Sequence, residues 1–153
     1  MPSVVVAVQR IRRAEEPLPL PEYQTAGAAG MDLMADNPEP VVLRPGERTR
    51  LPTGLRVEIP QGFEAQIRPR SGLAARHGIT LLNAPGTIDT DYRGEIEIVL
   101  VNLGTNDYTV RRGDRICQMV VAPVARVAWR EVEGLSSSER GAGGFGHTGR
   151  GEG

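Results

Sequence analysis

The sequence predicts an all-β fold: a jelly-roll-like barrel or sandwich of short strands with a flexible, Gly-rich C-terminal arm. Three observations lead there. The 153 residues include 19 glycines and 12 prolines, so turn formers and helix breakers interrupt almost every stretch. Between them, apolar and polar residues alternate at a period of two, as at Leu55, Val57 and Ile59. From Gly134 onward glycine and serine take over, a composition that cannot bury a core of its own.

Taken in order, Val4 to Ile11 reads as a first strand, and Glu15 to Tyr23, with three prolines, as extended chain. Val41–Leu43 is a short strand closed by the turn Arg44-Pro45-Gly46-Glu47. Thr53–Pro60 and Phe63–Arg68 both alternate, and Gln61-Gly62 between them predicts a hairpin. Gly72–Arg76 is the single helical turn, with Ser71 at its start and Gly78 after its end. Residues 83–94 read Asn-Ala-Pro-Gly-Thr-Ile-Asp-Thr-Asp-Tyr-Arg-Gly and run into the alternating stretch Glu95–Val101; a second hairpin is expected there. Tyr108-Thr109-Val110 leads into the turn Arg111–Asp114, and strands are expected over 115–122 and 124–132. The boundaries are a β body over 1–135 and an arm over 136–153.

Composition also excludes. A net charge of −1 provides no basic field, so neither nucleic acid nor a membrane is an expected partner. Every basic residue is Arg, and chemistry that needs a lysine is ruled out, a Walker phosphate loop included. The tail glycines open no helix after a strand, so they are not a dinucleotide fingerprint. Cys117 is the single cysteine, set in an apolar run; it reads as a packed thiol in a cytoplasmic protein. With two His and one Cys, no zinc-type centre is expected.

Residues 83–94 carry the most chemistry. Turn formers come first, then Asp89 and Asp91 two apart, then the ring of Tyr92 and a closing Gly94. A turn of this kind offers backbone amides to a base edge, a flat ring to a sugar and a carboxylate to a water molecule. From residue type alone, Asp89 is equally a turn-capping acid and a proton acceptor, and Tyr92 reads either as a half-buried core residue, a common role for tyrosine, or as a sugar platform. Asn83 suits a turn ahead of Pro85, and Gln118 suits a solvent-facing strand position.

Four further segments accompany it: Ala29-Gly30-Met31-Asp32-Leu33, Pro69-Arg70-Ser71-Gly72-Leu73-Ala74, Gly113-Asp114-Arg115-Ile116-Cys117-Gln118 and Arg140-Gly141-Ala142-Gly143-Gly144-Phe145-Gly146-His147-Thr148-Gly149. All five, in this order, resemble the motifs of the trimeric deoxyuridine triphosphate nucleotidohydrolases (dUTPases). The resemblance runs from the first strand to the tail. It implies hydrolysis of dUTP to dUMP and pyrophosphate by a homotrimer, with Mg²⁺ on the triphosphate. Asp89 is then the base that orients water towards the α-phosphorus, and Tyr92 lies against the deoxyribose, crowding out a 2′-hydroxyl. Uracil is read by Asn83, by backbone at Gly86, Thr87 and Ile88, and by the paired strand near Glu97.

On the phosphate side the resemblance implies Arg70, Ser71 and Gly72 as a cradle, with Gln118 as a further contact. Asp32 supports water or metal near the phosphates without direct ligation, since Mg²⁺ prefers phosphate oxygens and retained waters. In the arm, Arg140 meets the γ-phosphate and Phe145 stacks on the base, with Gly146, His147 and Thr148 near phosphate. Many relatives have Ser at the position of His147. The arm is expected to be disordered when empty and to close a neighbouring subunit's site when filled. Two rivals remain at this stage: a dCTP deaminase or bifunctional relative of the same fold, and a protein that senses the nucleotide without cleaving it.

Overall fold

The computed structural model describes residues 3–11 and 16–149. Among them are β1 (Ala7–Arg10), β2 (Met31–Met34), β3 (Val41–Leu43), β4 (Arg48–Pro52), β5 (Leu55–Glu58), β6 (Phe63–Arg68), α1 (Ser71–His77), β7 (Ile79–Leu81), β8 (Gly86–Ile88), β9 (Glu97–Asn102), β10 (Tyr108–Val110) and β11 (Arg115–Pro123). The fold is all-β, as expected. No described helix is long and apolar enough to cross a membrane.

The strands pair antiparallel in small sheets ordered β2–β11–β6–β8, β4–β9–β7, β1–β5 and β3–β10. Alternation decides which side of each strand faces inward. In β5, Leu55 and Val57 are buried while Arg56 and Glu58 are exposed. The inner faces meet in one core that includes Leu33, Leu43, Leu51, Val57, Ile67, Leu81, Ile98, Leu100 and Ile116. Full burial of a side chain of this size contributes about 1.5–3 kcal/mol. Asn102, fully buried, ties the sheets together: its amide donates to the carbonyls of Leu43 and Asn106 (2.9 Å each) and accepts from the Gly104 N–H.

The helix follows its sequence signals. Arg70 takes the cap position with extended backbone, and Gly78, at φ 67°, ends the helix in the left-handed conformation that glycine adopts without steric cost. The turns at Arg44–Glu47 and Arg111–Asp114 also form, closed by bonds of 2.9 and 3.0 Å.

Pairing departs from expectation in three places. The Gln61-Gly62 turn forms, but β5 and β6 are not a hairpin: β5 pairs with β1, and β6 lies between β11 and β8. Likewise β8 and β9 do not pair with each other. β8 joins β6, whereas β9 lies between β4 and β7. Period-two alternation tells a strand which face is buried, not which strand lies beside it. Finally, residues 124–132 are not a strand. β11 ends at Pro123, which has no N–H to continue a ladder, and beyond it Val127 and Trp129 stand exposed, Trp129 by 93%. The first strand is also shorter than expected, covering Ala7–Arg10 within Val4–Ile11.

Candidate active site

The excursion between β7 and β9 builds a cleft. Those two strands pair from Ile79↔Asn102 to Leu81↔Leu100, with Leu82 N–H to Val99 O (3.0 Å) as the next rung. The chain between them crosses to the other sheet as β8, where Gly86, Thr87 and Ile88 face Ile67, Gln66 and Ala65 of β6. The far edge of β8 and the part of β9 around Glu97 and Ile98 therefore face each other unpaired. They border a cavity of about 130 Å³ lined by Asn83, Gly86, Thr87, Ile88, Tyr92 and Glu97 among others. All body residues expected on the nucleoside side meet here.

Several details fix the lining. A Cβ on Gly86 would press on the Ile67 Cβ of β6 at 3.3 Å, while the Asn83 Nδ2 would lie at ordinary contact distance, 3.6 Å. The Glu97 carboxylate turns outward to Arg50 (3.3 Å), so what β9 offers the cleft at that point is main chain. Asp89 lies one residue beyond β8, exposed at the rim, and its carbonyl accepts the Tyr92 N–H at 3.2 Å. The Tyr92 hydroxyl donates to the Glu95 carbonyl (2.7 Å), and the Glu95 carboxylate accepts the Gly54 N–H (2.8 Å). Farther along the loop, Arg93 pairs with Glu58 at 3.4 Å.

A second cluster gathers on β2, β11 and the start of α1. Arg70 Nε contacts Asp32 Oδ1 at 3.1 Å, and its Nη1 donates to the Arg115 carbonyl at 3.1 Å. Arg115 Nη1 stands 3.6 Å from the other Asp32 oxygen. Asp32 is thus held between two guanidiniums, its side chain 15% exposed. Gln118 lies opposite Asp32 on β2 and opposite Arg68 on β6, and a Cβ on Gly30 would touch its Oε1 at 3.0 Å. Ser71 is the first, exposed residue of α1, while the space above Gly72 is taken by the Arg76 guanidinium, 2.9 Å from where a Cβ would be. The Cys117 thiol, on the same strand as Gln118, is buried and pushed up to about 12, chiefly by burial, then by Asp32, with Arg70 opposing. It is the packed, unreactive thiol that its apolar run predicts.

No group of three or more His, Cys, Asp or Glu side chains converges among the described residues. Asp32 is the acid of the charged cluster, with one oxygen on Arg70 and the other facing Arg115; a divalent cation would there rely on phosphate oxygens and water for its other ligands.

The arm residues are not brought to either cluster. Among the described residues the tail's hydrogen bonds are internal: Gly141 to Ser138, Gly143 to Arg140, Gly149 to Gly146, and the Arg140 guanidinium to Gly143. Phe145 is fully exposed, and Gly146, His147 and Thr148 are exposed. Arg115 was missed as a member of the charged cluster. Arg115 sits beside Asp114 in a matching segment, but its partner Asp32 is remote in sequence and only the β2–β11 register joins them.

A family model described as dUTPase matches residues 16–149. The chain is 60% identical over 147 residues to a deoxyuridine 5'-triphosphate nucleotidohydrolase of Anaeromyxobacter sp. (strain Fw109-5), covering 96% of this chain and 99% of that one. It is 63% identical over 136 residues to the protein of the same name from Rhizobium meliloti (strain 1021), covering 88% and 85%. Among solved structures it resembles a Staphylococcus bacteriophage 80alpha dUTPase with dUPNHPP, at TM-score 0.81 and 26% identity, covering 97% of this chain and all of that one.

Proposed function

Because the chain belongs to the dUTPase family, we propose that it hydrolyses dUTP to dUMP and pyrophosphate in the cytoplasm, keeping uracil out of DNA and supplying dUMP for thymidylate synthesis. The observation that carries this reading is the pair of open strand edges on β8 and β9, with Asp89 at their rim. A planar base with donors and acceptors on its edge takes the place of a missing ladder rung between them. Uracil offers O4 as acceptor and N3–H as donor; cytosine inverts both and leaves buried partners unsatisfied. The Asn83 amide adds a side-chain contact, and the Tyr92 ring closes the sugar side against a 2′-hydroxyl.

With the nucleoside so placed, the triphosphate extends towards Arg70, Ser71, Gly72 and Gln118. Asp89 accepts the proton of a water that attacks the α-phosphorus in line, and pyrophosphate leaves. Asp32 holds Arg70 in place and would meet a metal-bound water. A Mg²⁺ on the phosphate oxygens would hold the triphosphate in one conformation and screen its charge.

The body over 1–135 and the arm over 136–153 work as separate parts of a homotrimer. Val127, Trp129 and Leu135 are exposed and, among the described residues, the tail's hydrogen bonds are internal, which supports a neighbour as their cover. On that neighbour Arg140, Gly146, His147 and Thr148 meet phosphate and Phe145 covers the base.

The test is pyrophosphate release from dUTP, dTTP, dCTP and UTP. Strong preference for dUTP is expected. Ammonia from dCTP would favour a deaminase of the same fold, and tight binding of dUTP without pyrophosphate a sensor. Comparable cleavage of UTP would refute the sugar role of Tyr92.

A further inference from the structure

Gly94 is the one glycine of the 83–94 loop whose missing side chain is filled by a candidate site residue. A Cβ at this position would lie 2.6 Å from Tyr92 Cζ and 2.9 Å from Cε2, and closer still to the hydroxyl oxygen. Real Cβ atoms do not approach this closely, so any side chain at 94 displaces the ring. The backbone gives no other reason for a glycine: φ of Gly94 lies outside the left-handed range that Gly54, Gly62 and Gly78 occupy. The ring is therefore seated by two devices. One is the space over Gly94; the other is the hydrogen bond from its hydroxyl to the Glu95 carbonyl (2.7 Å), whose own side chain is anchored to Gly54. Seated so, Tyr92 lines the cleft and stays 43% exposed, free for a ligand.

We infer that Gly94 is a specificity-positioning residue: its empty side-chain space is the seat that holds the Tyr92 ring where the sugar must pass, and so sets the preference for deoxyribose over ribose. The inference rests on the dUTP reading above. It adds a residue that contacts no substrate and acts through Tyr92 alone.

The experiment compares kcat/KM for dUTP and for UTP in wild type, Gly94→Ala, Tyr92→Ala and the double variant. Wild-type turnover of dUTP is measured first; without it the proposed function fails, not this inference alone. Gly94→Ala is expected to lower the dUTP/UTP ratio by about tenfold or more, through a higher KM for dUTP and a gain on UTP. In the Tyr92→Ala background the same change is expected to leave the ratio where Tyr92→Ala alone puts it. An unchanged ratio in Gly94→Ala overturns the inference, and so does an equal loss in both backgrounds. Should Gly94→Ala fail to fold, the double variant, which removes the colliding ring, is expected to restore folding and the melting temperature; a double variant that stays unfolded also overturns it.

Discussion

The cleft between β8 and β9 and the charged cluster around Asp32 are built by opposite means. The cleft is made of main chain: β8 and β9 belong to different sheets, and the free edge of β8 and the Glu97–Ile98 end of β9, beyond its pairing with β7, are left open. The charged cluster is made of side chains that already satisfy one another, with Asp32 held between Arg70 and Arg115. Backbone edges discriminate by hydrogen-bond pattern, because a mismatched base strands buried donors and acceptors. A compensated ion cluster discriminates poorly but orients well, because each guanidinium is prevented from wandering. On the proposed function, selectivity belongs to the first region and alignment of the phosphates to the second, with Asp89 next to the cleft-lining Ile88.

This division can be broken by measurement. The largest effect is expected at Asp89: Asp89→Asn keeps the shape of the rim but removes the proton acceptor, and kcat for dUTP should fall about a thousandfold with KM little changed. An unimpaired variant removes Asp89 from the chemistry. Next, truncation after Leu135 should leave the body folded, with an unchanged melting transition, while turnover falls about a hundredfold through loss of closure over the phosphates. Full activity of the truncated protein would deny the arm its role.

A smaller effect is expected at Asp32. Asp32→Asn frees both guanidiniums and makes the cluster more positive, so affinity for a triphosphate does not drop, yet the phosphates lose alignment. The expected result is a kcat about tenfold lower at an equal or lower KM. A raised KM with unchanged kcat would show that Asp32 contributes binding alone. The smallest effect is on stability at high pH. Burial raises the Cys117 thiol from 9.0 to about 12, so the folded state holds this proton longer than the unfolded chain does. Its stabilising contribution is complete below pH 9 and is lost as pH rises towards 12. Melting temperature should decline over that window, and Cys117→Ala should flatten the decline; an identical slope in the variant assigns the loss to other groups, such as the burial-shifted Tyr108.

Much of both regions was legible in the sequence, but in different degrees. Val41–Leu43, Leu55–Glu58 and Phe63–Arg68 announced themselves by alternation, and α1 by its short apolar run and Gly78. β4 did not, because Arg48-Thr49-Arg50-Leu51-Pro52 buries fully only Leu51 and is carried by its neighbour β9. Pairing was where local pattern ran out. The loop 83–94 reads as a hairpin in sequence, yet it is none, and the cleft exists because it is not one. Of the charged cluster, Asp32 and Arg70 stood out in the sequence but Arg115 did not, since its contact with Asp32 follows from strand register. Apolar spacing at Val124, Val127, Trp129 and Val132 misled, because a strand needs an edge to lie on and none faces it among the described residues.

The open edges of β8 and β9 have a mechanical consequence. They lie on separate sheets, so a guest seated between them acts as a rivet, and whatever it gains by docking must be given up before the sheets can part. Occupancy should therefore harden the whole body against heat and slow amide exchange well away from the pocket, by an amount that grows with the logarithm of guest concentration over its dissociation constant.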